Sequence, residues 1–271
     1  MRTDLALESF EEKNKTKLKG VVVKEEKGIT RVSVLDEDGE KALGKPKGEY
    51  ITLHLPSLVN DTDIFDGRLD LFAKTLESLL PEGITSALVA GLGNPNITAD
   101  SLGPNTNRYV LSTRHILSEL RATSGLEGLF CVSSVSTGVL GETGIESAEM
   151  IKGVVSQIKP SCVIAVDALA ASSMERLGTT VQLSESGISP GSGVGNHRHE
   201  LSLKTLGVPV ISVGIPTVVS TGILGAPGEE AYVTPREIDR ISEQGAKLIG
   251  MGINVCLHKN ISPEDLYALV G

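Results

Sequence analysis

Hydrophobic positions along this chain change rhythm near its first third. Up to about Lys19 the sequence is polar and rich in Lys and Glu, which predicts a mobile arm. Three β-rich runs follow, KGVVVKEE from Lys19, ITRVSVLDEDGE from Ile29 and GEYITLHL from Gly48. They are parted by Asp-Gly and Gly-Lys-Pro turn signals, the pattern of a small antiparallel meander. From Asp63 to Leu80 the apolar residues Ile64, Leu69, Phe72, Leu76 and Leu79 recur at helical spacing, and Pro81 ends the run. Beyond it, continuous apolar runs predict strands at Ser86–Gly93, Leu129–Val135, Cys162–Leu169 and Val208–Ile215, with Thr179–Leu183 a possible addition. Asn105–Leu120, Gly144–Ile158 and Thr234–Ile253 carry helical spacing. Apolar strands alternating with helices define an α/β fold: a mostly parallel sheet with helices on both faces. The expected organisation is an arm over 1–19 and one α/β domain over 20–271, whose residues 20–62 form a β-rich N-terminal decoration.

Composition narrows the function. With 3% aromatic residues, no Trp and 30 Gly among 271 residues, the core must be built from Val, Ile, Leu and Ala around many tight turns. Acidic residues outnumber basic ones 34 to 25, a net charge of −9 without a basic stripe, which argues against nucleic-acid binding. No run of 18 apolar residues offers a membrane span. Arg2, Asp4 and Glu8 stand where a signal peptide would be apolar, so a cytoplasmic location is expected. Cys131, Cys162 and Cys256 have no C-x-x-C spacing and read as small buried hydrophobes.

In an open parallel sheet, chemistry gathers beyond the carboxyl ends of the strands. That rule selects Asp100, in TADSLGP after the strand from Ser86, and Asp167, which ends CVIAVD. Two carboxyl groups in a partly dry cleft can hold one proton between them, so that one serves as acid while the other activates water. The alternative is structural: Asp100 as a helix N-cap and Asp167 as an acceptor of backbone hydrogen bonds. The loop from Ser184 to Glu200 is long and Gly-rich, and its Gly191, Gly193 and Gly195 match neither a dinucleotide fingerprint nor a phosphate loop. His197 and His199 are spaced as two metal ligands on one strand side would be, or lie in a solvated loop. Ser134, Ser136 and Thr137 have no base at a recognisable spacing, so a serine nucleophile is unsupported.

The motifs RTDLALE, KGVVVKEE, VAGLGN, TADSLGP, TRH, TGIES, AVDALAA, SESGISPGSGVGN, TLGVPVISVGIPTVV and VTPREID occur in an order that resembles the germination proteases of spore-forming bacteria. More distantly the pattern is similar to the hydrogenase maturation endopeptidases. The resemblance implies an atypical aspartic-type endopeptidase that needs no cofactor and no metal. It would hydrolyse small acid-soluble spore proteins at germination, in the spore cytoplasm, as a homotetramer made from a zymogen. The family's proposed catalytic pair matches Asp100 and Asp167. Its substrates are cut after an acidic residue in a Thr-Glu, large apolar, Ala, Ser, Glu context, which Thr3 to Glu8 resemble, so self-cleavage is expected between Asp4 and Leu5. Two departures stand out: only Met1 to Asp4 precede that bond, and the chain passes from Ile215–Val219 to VTPREID without the long insertion of many members. Two other readings stay open, a metal-guided maturation peptidase with His197, His199 and Glu146 as ligands, and a non-catalytic module gripping acidic spore proteins.

Overall fold

A strand flanked by helices on both sides reads as an unbroken apolar run. The clearest case is Cys162–Ala171, where every residue but Ala168 is buried. The computed structural model describes residues 3–13, 18–59, 63–116, 129–195, 199–221 and 231–271. Among the described residues the strands are β1 (Val21–Glu26), β2 (Ile29–Val34), β3 (Gly48–His54), β4 (Ser86–Gly91), β5 (Cys131–Ser136), β6 (Cys162–Ala171), β7 (Thr180–Ser184), β8 (Val210–Thr221) and β9 (Ala231–Val233). They form one mixed sheet in the order β1-β2-β3-β7-β8-β6-β4-β5, with β9 beside the end of β8. The pairs β8/β6, β6/β4 and β4/β5 are parallel, and the remaining pairs are antiparallel.

The helices used below are α1 (Ala6–Glu12), α2 (Glu37–Leu43), α3 (Arg68–Leu79), α4 (Leu102–Thr106), α5 (Ser147–Ile158), α6 (Ile238–Leu257) and α7 (Pro263–Val270). Because side chains alternate along a strand, β4 sends Ala87 and Val89 to one face and Leu88 and Ala90 to the other. The first set packs with Phe72 and Leu76 of α3, Ile249 and Ile253 of α6 and Leu266 of α7. The second packs with Ile151 and Val155 of α5. Helices thus cover both faces.

The N-terminal meander is antiparallel as expected, and through β3, paired with β7 from Tyr50↔Ser184 to His54↔Thr180, it continues the main sheet. Ile51 and Leu53 belong to the central core, which an exposed edge strand could not offer. Two local expectations change. The polar arm contains a docked segment, because Leu5, Ala6, Leu7 and Glu8 are buried and α1 begins at Ala6. Finally, the helix expected over Asn105–Leu120 is already over at Thr106, followed by a tight turn at Asn107–Tyr109 and extended backbone at Val110. Buried Asn254 of α6 takes over the backbone pairing there: its Oδ1 accepts from Leu111 N at 2.8 Å and its Nδ2 donates to Tyr109 O at 2.7 Å. Thr113 N and Arg114 N then donate to Val132 O of β5, and the remainder of that expected helix, 117–120, lies outside the described residues.

Candidate active site

Strand order reverses at β4, which has β5 on one side and β6 on the other. The connections leaving the carboxyl ends of β4 and β6 therefore diverge and leave a crevice between them. The Asp100 turn is pressed into this crevice by glycines. A Cβ at Gly93, which has φ +109°, would lie 2.1 Å from the Asp100 carbonyl oxygen, and one at Gly103 would lie 2.3 Å from Leu92 O and 2.5 Å from Val166 O. Asp100 Oδ2 accepts a hydrogen bond from Asn94 N at 2.8 Å, so its carboxylate ties the GLGNPN turn. It does not cap α4, whose N-cap position is Ser101. From the far side, Thr217 Oγ1 of β8 donates to Ala99 O at 2.7 Å.

Asp167 does not end its strand, since β6 pairs with β8 as far as Ala171; it is 4% exposed and its Oδ1 accepts a backbone hydrogen bond from Ala168 N at 3.0 Å. Both aspartates nevertheless line one cavity of about 240 Å³, together with Gly93, Leu169, Thr217 and Asp4. The structure thus brings together the two residues that strand-end placement selects, and adds Asp4.

Asp4 is there because the N-terminal segment lies along the end of β6. Its backbone N donates to Ala170 O at 2.9 Å, and its Oδ2 accepts from Ala170 N at 2.8 Å. Asp4 Oδ1 accepts from Ser192 Oγ at 2.8 Å, in the Gly-rich loop. Gly193 makes room for this carboxylate, since a Cβ there would lie 2.2 Å from Asp4 Oδ2. Leu5, 0% exposed, fills an apolar socket of Leu169, Ala171, Leu177 and Val219. Ala6 packs under Val32, Val34 and Tyr50. Glu8, 2% exposed, accepts from Ser172 N at 2.7 Å, from Ser173 N at 3.1 Å and from Thr3 Oγ1. Residues 3 to 5 are therefore held by their backbone and side chains before the chain turns into α1 at Ala6, whose first turn adds the contacts of Ala6 and Glu8.

Two residues that carried no signal in the sequence hold the backbone of this segment. Gln182 of β7 donates from Nε2 to Asp4 O at 3.1 Å and accepts at Oε1 from Ala6 N at 2.8 Å. Lys45, in the turn after α2, donates from Nζ to Thr3 O at 3.0 Å and to Asp4 O at 3.1 Å. Removal from water lowers the Lys45 pKa, against the opposing pull of the Asp4 and Glu8 carboxylates. Lys45, Gln182, Asp4, Asp167 and Gly214 line a second cavity of about 420 Å³. Tyr50 borders it too, its phenol pushed up to about 12 chiefly by burial. Of the proposed metal ligands, Glu146 precedes α5, His199 lies near the end of the Gly-rich loop and His197 lies outside the described residues. Among the described residues no three His, Cys, Asp or Glu side chains form a group that could hold a metal ion. Burial raises the Cys162 and Cys256 thiols to about 12, as inert core residues.

The α/β sheet thus carries, at one crevice, two carboxyl groups beside an N-terminal segment clamped by main-chain hydrogen bonds, an arrangement with the chemical means to hydrolyse a peptide bond. The sequence model of the germination proteases matches residues 2–224, and the chain belongs to that family. A germination protease of Clostridium tetani is 39% identical over 98% of this chain and 98% of its own length, and one from Caldanaerobacter subterraneus is 38% identical over 100% and 98%. One from Priestia megaterium is 40% identical over 98% of this chain and 76% of its own. Among solved structures, a nickel–iron hydrogenase maturation protease of Thermococcus kodakarensis covers 66% of this chain and 99% of its own at 16% identity, with a TM-score of 0.39.

Proposed function

We propose that in this spore germination endopeptidase Asp100 and Asp167 carry the chemistry, that its substrates are the small acid-soluble spore proteins of the spore cytoplasm, and that it cuts its own chain between Asp4 and Leu5. The observation that carries this reading is that Asp4 lines one cavity with both aspartates. In the step envisaged, one ionised aspartate takes a proton from water as the water oxygen bonds to the Asp4 carbonyl carbon. Collapse of the tetrahedral intermediate breaks the bond to the Leu5 nitrogen, which leaves with a proton from the other, neutral carboxyl group. Which carboxyl holds the proton belongs to the pair as a unit.

Substrates that share an acidic residue, a large apolar residue, Ala and a later Glu would use the contacts now made by Asp4, Leu5, Ala6 and Glu8. By resemblance the enzyme works as a homotetramer and is made as a zymogen. The test is the intact mass of purified protein over time at mildly acidic pH, beside Asp100→Asn and Asp167→Asn. Loss of Met1–Asp4 from wild type alone is the expected result. Equal loss from both variants would remove the aspartates from the mechanism, and binding of a spore protein without any cutting would favour a gripping module.

A further inference from the structure

The two cavities adjoin at Asp4 and Asp167, which line both. Asp100 lines only the smaller one and Lys45 and Gln182 only the larger. Strand register explains the arrangement. Gln182 pairs with Gly214, and Gly214 pairs with Asp167, so the three stand in one row across β7, β8 and β6 on the same face of the sheet. The middle position has no side chain, and a Cβ there would lie 2.6 Å from Asp167 O and from Leu169 Cγ. Asp4, whose carbonyl Gln182 holds, lines the larger cavity together with Gly214 and Asp167.

We propose that Lys45 Nζ and Gln182 Nε2 form the oxyanion-binding pair of this peptidase, polarising the carbonyl whose carbon the aspartate-activated water attacks. This rests on the reading of Asp4–Leu5 as the bond that is cut. As the water oxygen bonds to carbon, the carbonyl π electrons move onto oxygen, and the negative charge that develops meets one ammonium and one amide N–H already in place. When the C–N bond breaks, those electrons return to re-form the carbonyl and the donors revert to neutral-carbonyl hydrogen bonds. Donors fixed before the reaction in a site shielded from water stabilise the transition state more than the ground state. Gln182 has a second duty that sets the register. Its Oε1 accepts from Ala6 N, so one planar amide spans the residues on both sides of the Asp4–Leu5 bond. Gln182 and Lys45 are thus catalytic residues, and Gln182 is also a positioning one.

The experiment uses the full chain and a synthetic peptide copying residues 2–8. Lys45→Met and Gln182→Glu are compared with wild type for the intramolecular rate of Asp4–Leu5 cleavage and for kcat and KM on the peptide, with melting temperatures as a check on folding. Gln182→Glu keeps the acceptor for Ala6 N but loses the donor. Each variant is expected to lower kcat by about 10²–10³-fold with KM changed only a few-fold and the melting temperature held, and Lys45→Arg to recover part of the loss. A raised KM with unchanged kcat would show that these side chains only grip the ground state, and overturns the assignment. Wild-type cleavage of the peptide at another bond, or none at all, overturns it too. Full activity in Asp100→Asn and Asp167→Asn together with loss in Lys45→Met and Gln182→Glu would instead sink the aspartate reading and leave the donors standing.

Discussion

At the scale of single residues, the site is made as much by what glycines omit as by what the charged groups add. Gly193 holds the Asp4 carboxylate where any Cβ would collide with it, 2.2 Å from Oδ2 and 2.6 Å from Cγ. Gly193→Ala should therefore expel an acidic side chain from this socket. The hydrogen bonds lost are charge-assisted, worth about 1.5–3 kcal/mol each, so KM for the residue 2–8 peptide should rise at least about tenfold. Steady-state kinetics checks this, and an unchanged KM would mean that the socket does not receive the residue before the cut. Glu8 makes a complementary case in stability. Glu8→Ala would leave the N–H groups of Ser172 and Ser173 without their carboxylate, and a buried donor left unpaired costs about 1–3 kcal/mol. The urea midpoint should fall accordingly.

At the scale of elements, α6 is the spine on which one face of the sheet is assembled, and its glycines are contact points. A Cβ on Gly252 would lie 2.1 Å from Cδ1 of Phe72, itself fully buried on α3. Helix propensity favours Gly252→Ala by about 1 kcal/mol, whereas overpacking a core costs about 1–3 kcal/mol. The immovable ring decides the sign, so this variant should be destabilised in equilibrium denaturation. How much was legible in the sequence follows the same division between local and long-range causes. The strands at Ser86, Cys162 and Val208 stand out because burial on both faces leaves an uninterrupted apolar run. Asp100 and Asp167 can be selected as candidates because a carboxylate closing an apolar run is a local feature of the sequence, whereas the continuation of β6 past Asp167 to Ala171 is not. By contrast, α2 was hidden in LDEDGE, which reads as a turn, although Asp36 caps Gly39 N at 2.9 Å and Gly44 closes the helix in the left-handed region. Lys45 and Gln182 gave no signal, since only the pairing of β3 with β7 carries the turn after α2 toward the end of β6.

At the scale of the whole molecule, stability should depend on pH through buried imidazole. His258 at the end of α6 is 1% exposed, its Nδ1 has no hydrogen-bond partner among the described residues, and burial lowers its pKa against the opposing bond to Leu111 O. Burial and the nearby Arg176 also lower that of His54. A base whose pKa is lower in the folded state leaves the unfolded chain binding more protons, so stability rises with pH in that window. The contribution is complete above the unfolded value of 6.5 and is lost as pH falls below it. Denaturant midpoints measured from pH 7.5 down to 5 should fall, with a shallower slope in His258→Gln. The docking of residues 5 to 8 sets a different kind of limit. Opening the Asp4–Leu5 bond would release only what precedes it, while Leu5 stays in its socket and Glu8 keeps its backbone partners. The severed end would then sit in the groove as a tethered product, and an outside chain could enter only in the fraction of molecules whose α1 has swung clear. Truncation and turnover would run on two clocks: the mass would change first, and catalysis of foreign chains would follow after a lag set by departure of the helix rather than by hydrolysis.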